Sequence, residues 1–154
     1  MDQAKLNFLK KDFIFHLKHL APGEQGKWGK MNGQQMVEHF SFSVKIASGR
    51  LKFPDQFNEE QMAKNLSFVM TDKPFRENTK NPLLNDTPAD TRHATMQQSI
   101  EELQHELDYF FQVYESHPGL EIKSPFYGAM NYEQQVQLLH KHALHHLRQF
   151  GLIT

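Results

Sequence analysis

The sequence predicts an all-α fold: a four-helix bundle with an additional short helix, forming a single domain over residues 1–154. Three observations predict it. Apolar residues recur at spacings of three and four along most of the chain, the period of one helix face, and the alternation of a half-buried strand is nearly missing. Asn32, Asn58 and Asn131 each stand three positions before a Gln at the head of such a stretch, the spacing of a capping box. The 154-residue length suits one core, and no repeat or low-complexity linker divides it.

The first helix carries Leu6, Leu9, Phe13, Leu17 and Leu20 and is ended by Pro22-Gly23. The second opens at Asn32 with Gln35, shows Met36, Phe40, Val44 and Ala47 on one face, and reaches a C-cap glycine at Gly49. A short third helix opens at Asn58 with Gln61 and carries Met62, Leu66 and Val69. The fourth holds Met96, Ile100, Leu103, Leu107, Phe110 and Tyr114, a sustained pattern suited to bundle packing. Pro118-Gly119 closes it. The last opens at Asn131 with Gln134 and runs through Val136, Leu139, Ala143, Leu147 and Phe150 to Gly151. Two connections, 71–92 and 116–130, lack periodicity; the first exceeds ordinary loop length and reads as a cover over a site.

Net charge is -1 with histidine neutral, which offers no broad basic surface to nucleic acid or anionic lipid. Cysteine is absent, so disulfides, thiolate metal sites and cysteine nucleophiles are excluded together. The N-terminus does not read as a signal peptide, and no apolar run approaches the roughly 20 residues of a membrane span. A cytoplasmic location is expected.

Chemistry concentrates in HKHALHHLRQF, residues 140–150, where four histidines fall within seven positions. A metal site, a proton-handling site and a solvated surface are the three readings open to it. With His146 at zero on a helical wheel, Leu139 falls at about +20°, Phe150 at about +40° and Ala143 at about +60°. His142 falls at about -40°, on the flank of that apolar face, while His145 and His140 lie at about -100° and +120°. His142 and His146 are therefore the inward pair, and i,i+4 imidazoles stand close enough to converge on one ion. The plainer reading is one hydrogen-bonded core histidine with the others solvated.

A third ligand must come from another helix. His39 is the best candidate, because it sits within the mostly apolar face of the second helix and needs a partner there. His16 lies at the margin of the first helix's apolar face and could support the site. His105 and His19 fall off their helices' apolar faces, His93 and His117 sit in or beside loops, and Glu38 points about a third of a turn from His39.

The segments KWGKMNGQQMVEHF and HPGL…FYGAMNYEQQVQLLHKHALHHLRQF resemble the DinB/YfiT-like superfamily of metal-binding bundles, in its uncharacterised bacterial branch. The resemblance rests on one histidine in the second helix and an H-x-x-H-H cluster in the last, and spans about residues 28–150. It implies an up-down-down-up bundle, often a homodimer, with His39, His142 and His146 holding nickel or zinc and water filling the open positions. It further implies thiol-dependent chemistry on a small-molecule substrate, since relatives include S-transferases using bacillithiol or mycothiol and a mycothiol-dependent isomerase. Two departures touch the pocket: Val136 stands where related sequences often carry Trp, and the stretch between His117-Pro118 and Tyr127-Gly128 is longer than usual.

The expectation is a divalent-metal protein, with nickel or zinc as the ion and a low-molecular-weight thiol as possible cosubstrate. It would be a thiol S-transferase or hydrolase activating a thiol or water, with His145 and His16 as supporting groups. The alternative is a non-catalytic metal-binding module that dimerises through its helices.

Overall fold

The computed structural model describes all 154 residues. The chain is mostly helical and carries one small sheet. An N-terminal helical run comprises α1 (Gln3–Asn7), a π-helical segment (Phe8–Asp12) and α2 (Phe13–Leu17). It is followed by α3 (Gly33–Ala47), α4 (Glu59–Val69), α5 (Met96–Ser116), strands β1 (Ile122–Ser124) and β2 (Gly128–Met130), and α6 (Tyr132–Gln149). No helix is long and apolar enough to cross a membrane.

The helix starts follow from side-chain chemistry. Asn32 and Asn131 accept from the N–H groups of Gln35 and Gln134, whose side chains answer on the Asn N–H groups, so both boxes close. At α4 only half of the box forms: Asn58 accepts from the Gln61 N–H, but the Gln61 side chain turns to Asn65. A further box, Thr95 with Gln98, opens α5. The first helix is shorter than its apolar pattern, ending at Leu17 rather than Leu20, and the Phe13 N–H reaches back five residues to Phe8 within it. That π turn leaves Leu9 and Phe13 fully buried, so the apolar face survives it.

One cluster of 21 buried residues forms the core, drawn from the N-terminal run and Leu20 just beyond it, α3, α5, and α6 with its cap. Phe13 and Phe40 meet at its centre, ring centroids 4.6 Å apart. Helix α4 lies outside this cluster and contacts α6 and β2.

The all-α expectation holds coarsely, since the chain is mostly helical, but one small two-stranded sheet is added to it. β1 and β2 pair antiparallel, Ile122 opposite Met130 and Ser124 opposite Gly128. Three-residue strands are shorter than the four-to-eight-residue window in which alternation can be recognised. The hairpin is held by tertiary contacts: the carbonyls of Pro125 and Phe126 accept from Gln56 N–H and the Asn65 side chain. The 71–92 connection contains no helix or strand, as its lack of periodicity predicts.

A candidate metal centre between α3 and α6

The faces of α3 and α6 bring three histidines together. Phe40 and Val44 on α3, and Leu139, Ala143 and Leu147 on α6, are buried in the core, which turns His39 toward His142 and His146. The Phe40 ring stacks on His142 at 4.8 Å. His39 Nε2 lies 3.2 Å from His142 Nε2, and His142 Nε2 lies 2.7 Å from His146 Nε2. The three nitrogens lie within 4.8 Å of one another. Two imidazoles bound to one ion at about 2.0–2.1 Å hold their nitrogens roughly 3 Å apart, so the cluster has the dimensions of a ligand set.

Hydrogen bonding among the rings cannot satisfy it. A neutral imidazole presents at Nε2 either one N–H or one lone pair. His142 Nε2 faces two other Nε2 atoms and can make one good bond with one of them; the other meeting leaves a donor or lone pair unmatched among the rings. A shared cation would satisfy all three lone pairs at once.

The protonation states agree with that chemistry. Burial, then the charge of His145, pushes His39 down to about 4. Burial first, and the neighbouring histidines second, hold His142 and His146 well below the ordinary imidazole value. All three rings are neutral at pH 7, the form that binds metal. No carboxylate belongs to the cluster, so the donor set leaves a divalent ion's charge undiminished.

Gln149 was not anticipated. Its side-chain oxygen lies 2.7 Å from His146 Nδ1, and its amide nitrogen donates to the Trp28 carbonyl at 2.9 Å. A helix wheel places Gln149 near His142 and His145 on α6 but says nothing of the 25–32 turn that meets it.

His145 and His140 are half-buried at the flanks of α6, as their wheel angles allow. The His145 ring meets Trp28 at 5.5 Å, Phe75 at 6.0 Å and His146 at 5.1 Å. His140 packs edge-on against Phe8 at 5.2 Å, and burial drives it down to about 4. His145 thus flanks the triad, while His16 does not: its ring lies against Phe8 and Phe15. His105 and His19 are exposed, as expected.

The 71–92 connection meets the site through its first residues. The buried Lys141 ammonium donates to the carbonyls of Thr71, at 2.7 Å, and Lys73, and lies 5.0 Å from the Phe68 ring centre. One turn on along α6, the His145 ring packs edge-on against the Phe75 ring. The Phe75 ring also lies 6.4 Å from His142. At the far end, buried Glu38 accepts from the N–H groups of Arg92 and His93 and from the Ser99 hydroxyl. Burial alone would raise its pKa, but these donors outweigh burial and hold it below the usual carboxylate value. Glu38 therefore anchors the returning chain, in keeping with its poor aim for a ligand.

Fold and site together define a mostly helical protein with three histidines placed to take up a metal ion. No protein-family model matches the chain, and comparisons with curated proteins and with solved structures find no match.

Proposed function

We propose that this chain is a DinB/YfiT-like four-helix bundle that binds a divalent metal, nickel or zinc, through His39, His142 and His146. We assign it to metal-dependent enzymes of the thiol S-transferase type, acting on a small-molecule electrophile with a low-molecular-weight thiol or water. The observation that carries the metal reading is the meeting of three neutral Nε2 atoms in a space where their hydrogen bonds cannot all be made. Three imidazoles leave coordination positions open, the pattern of catalytic rather than structural zinc sites. When bound, the ion supplies Lewis acidity that lowers the pKa of a thiol or water. The protein's own contribution is neutral, prealigned nitrogens, with the Phe40 ring stacked on His142 and the Phe75 ring edge-on to it.

Metal content of protein purified without a metal-affinity column tests this reading. His39→Ala and His146→Ala each lose the metal, whereas His140→Ala, on the Phe8 side of α6, retains it. Equal metal content in all three variants refutes the assignment. Turnover on a panel of thiols and electrophiles, abolished by chelation and restored by zinc or nickel, tests the enzymatic part.

The lack of any carboxylate or other evident general base in the cluster favours a second reading, a non-catalytic metal-binding module that dimerises. It predicts that chelation sharply lowers thermal stability, that no thiol panel turns over, and that sedimentation finds a dimer.

A further inference from the structure

We propose that Gln149 is a positioning residue for the metal site: bridged to the Trp28 carbonyl, it fixes the proton of His146 on Nδ1 and so keeps the Nε2 lone pair aimed at His39 and His142. The inference rests on the metal-site reading for its purpose and on hydrogen-bond chemistry for its content. A backbone carbonyl only accepts, so the Gln149 atom 2.9 Å from the Trp28 oxygen is the amide NH₂. The other end of that amide is then its oxygen, which also only accepts, 2.7 Å from His146 Nδ1. Nδ1 must carry the proton. A neutral ring has one N–H, which leaves Nε2 as the free base. The opposite tautomer would aim a proton at the other two nitrogens and remove a ligand.

The turn before α3 is shaped to hold this bridge. Gln149 is buried, and its main-chain carbonyl accepts from the Lys27 N–H at 2.7 Å. A Cβ at Gly26 would stand 2.9 Å from Gln149 Cγ and 2.9 Å from the Trp28 oxygen. One at Gly29 would stand 2.9 Å from the Gln149 amide nitrogen, on a backbone with φ +76° that disfavours any side chain. The GKWG stretch thus closes around one side chain from the other end of the chain. Groups that orient a ligating imidazole through its second nitrogen typically change metal affinity 10–100-fold when removed.

The test uses full-length wild type, Gln149→Leu and Gln149→Glu. Glu keeps an acceptor for Nδ1–H but gives up the donor to Trp28, whereas Leu gives up both. Nitrogen-15 spectra of the metal-free proteins report which imidazole nitrogen carries the proton, and zinc titration against a competing chelator reports affinity. We expect His146 protonated on Nδ1 in wild type and in Gln149→Glu, with zinc bound within a few-fold by both. In Gln149→Leu the Nδ1 proton is no longer fixed and zinc binds about 10–100-fold more weakly. An Nε2 proton in the wild type overturns the proposal. Equal weakening by Leu and Glu also overturns it, because Gln149 would then act only through the turn. Should the wild type take up no zinc, the metal assignment fails while the tautomers still decide this inference. Should Gln149→Leu not fold, the wild-type tautomer and the Gln149→Glu comparison decide it.

Discussion

Lowering the pH from 7 to 5 should destabilise the metal-free protein by several kcal/mol, because the fold holds four imidazoles of α3 and α6 neutral. His39 and His140 are pushed from 6.5 to about 4, chiefly by burial, and His142 and His146 further. Above pH 6.5 these rings are neutral in both folded and unfolded chains and contribute no pH dependence. Between about 6.5 and 4 the unfolded chain takes up protons that the folded chain refuses, so stability falls as the pH falls. For one ring fully kept neutral, the loss between pH 7 and 5 is about 2 kcal/mol. Four such rings would lose about 7 kcal/mol, but His39, His140 and His142 keep some solvent access, and screening reduces the expected loss to about 3–5 kcal/mol. That is a large share of the 5–15 kcal/mol typical of a domain. Urea unfolding followed by circular dichroism at pH 7, 6 and 5 measures it, provided the denaturant slope stays constant. His140→Gln should remove about one ring's share without touching the triad. A change below about 1 kcal/mol between pH 7 and 5 would refute the reasoning, since it would mean that the rings protonate freely in the fold.

Two further perturbations address the connection that runs past the site. Lys141→Met keeps the aliphatic stem but strips the Thr71 and Lys73 carbonyls of their donor, a loss of about 1.5–3 kcal/mol for bonds to a charged group. Limited proteolysis within 71–92 should quicken by about 10–100-fold while the global urea midpoint moves little; unchanged cleavage would dismiss the grip. Glu38→Leu leaves the Arg92 and His93 N–H groups without their acceptor. It should lower global stability by about 2–4 kcal/mol, and a change under about 0.5 kcal/mol would show that the carboxylate is dispensable.

The helices were legible because their causes are local. Asn32, Asn58 and Asn131 cap the residues three positions ahead of them, and apolar spacing alone places Phe40, Leu107 and Leu139 inside. The same arithmetic separates His142 and His146 from His105. It puts His140 and His145 toward the flanks, where both are half-buried, but an angle on one helix cannot tell that Phe8 or Phe75 will arrive against the ring. The hairpin escaped because its three-residue strands are held by Gln56 and Asn65, far from them in sequence.

By itself the sequence determined where the long helices lie, that the chain has no cysteine thiolate of its own, and which imidazoles share an inward face, since each depends on composition or on residues within a few positions of one another. Tertiary structure decided how those imidazoles meet. It set the 3.2 Å and 2.7 Å approaches among the three rings, placed Glu38 under Arg92 rather than at the site, and joined Gln149 to Trp28. These bonds span from four to 121 residues, and even the i,i+4 pair acquires its meaning from what surrounds it. Periodicity specifies the direction of a side chain on its helix; only packing specifies what stands opposite, and the chemistry of this site depends on the opposing group.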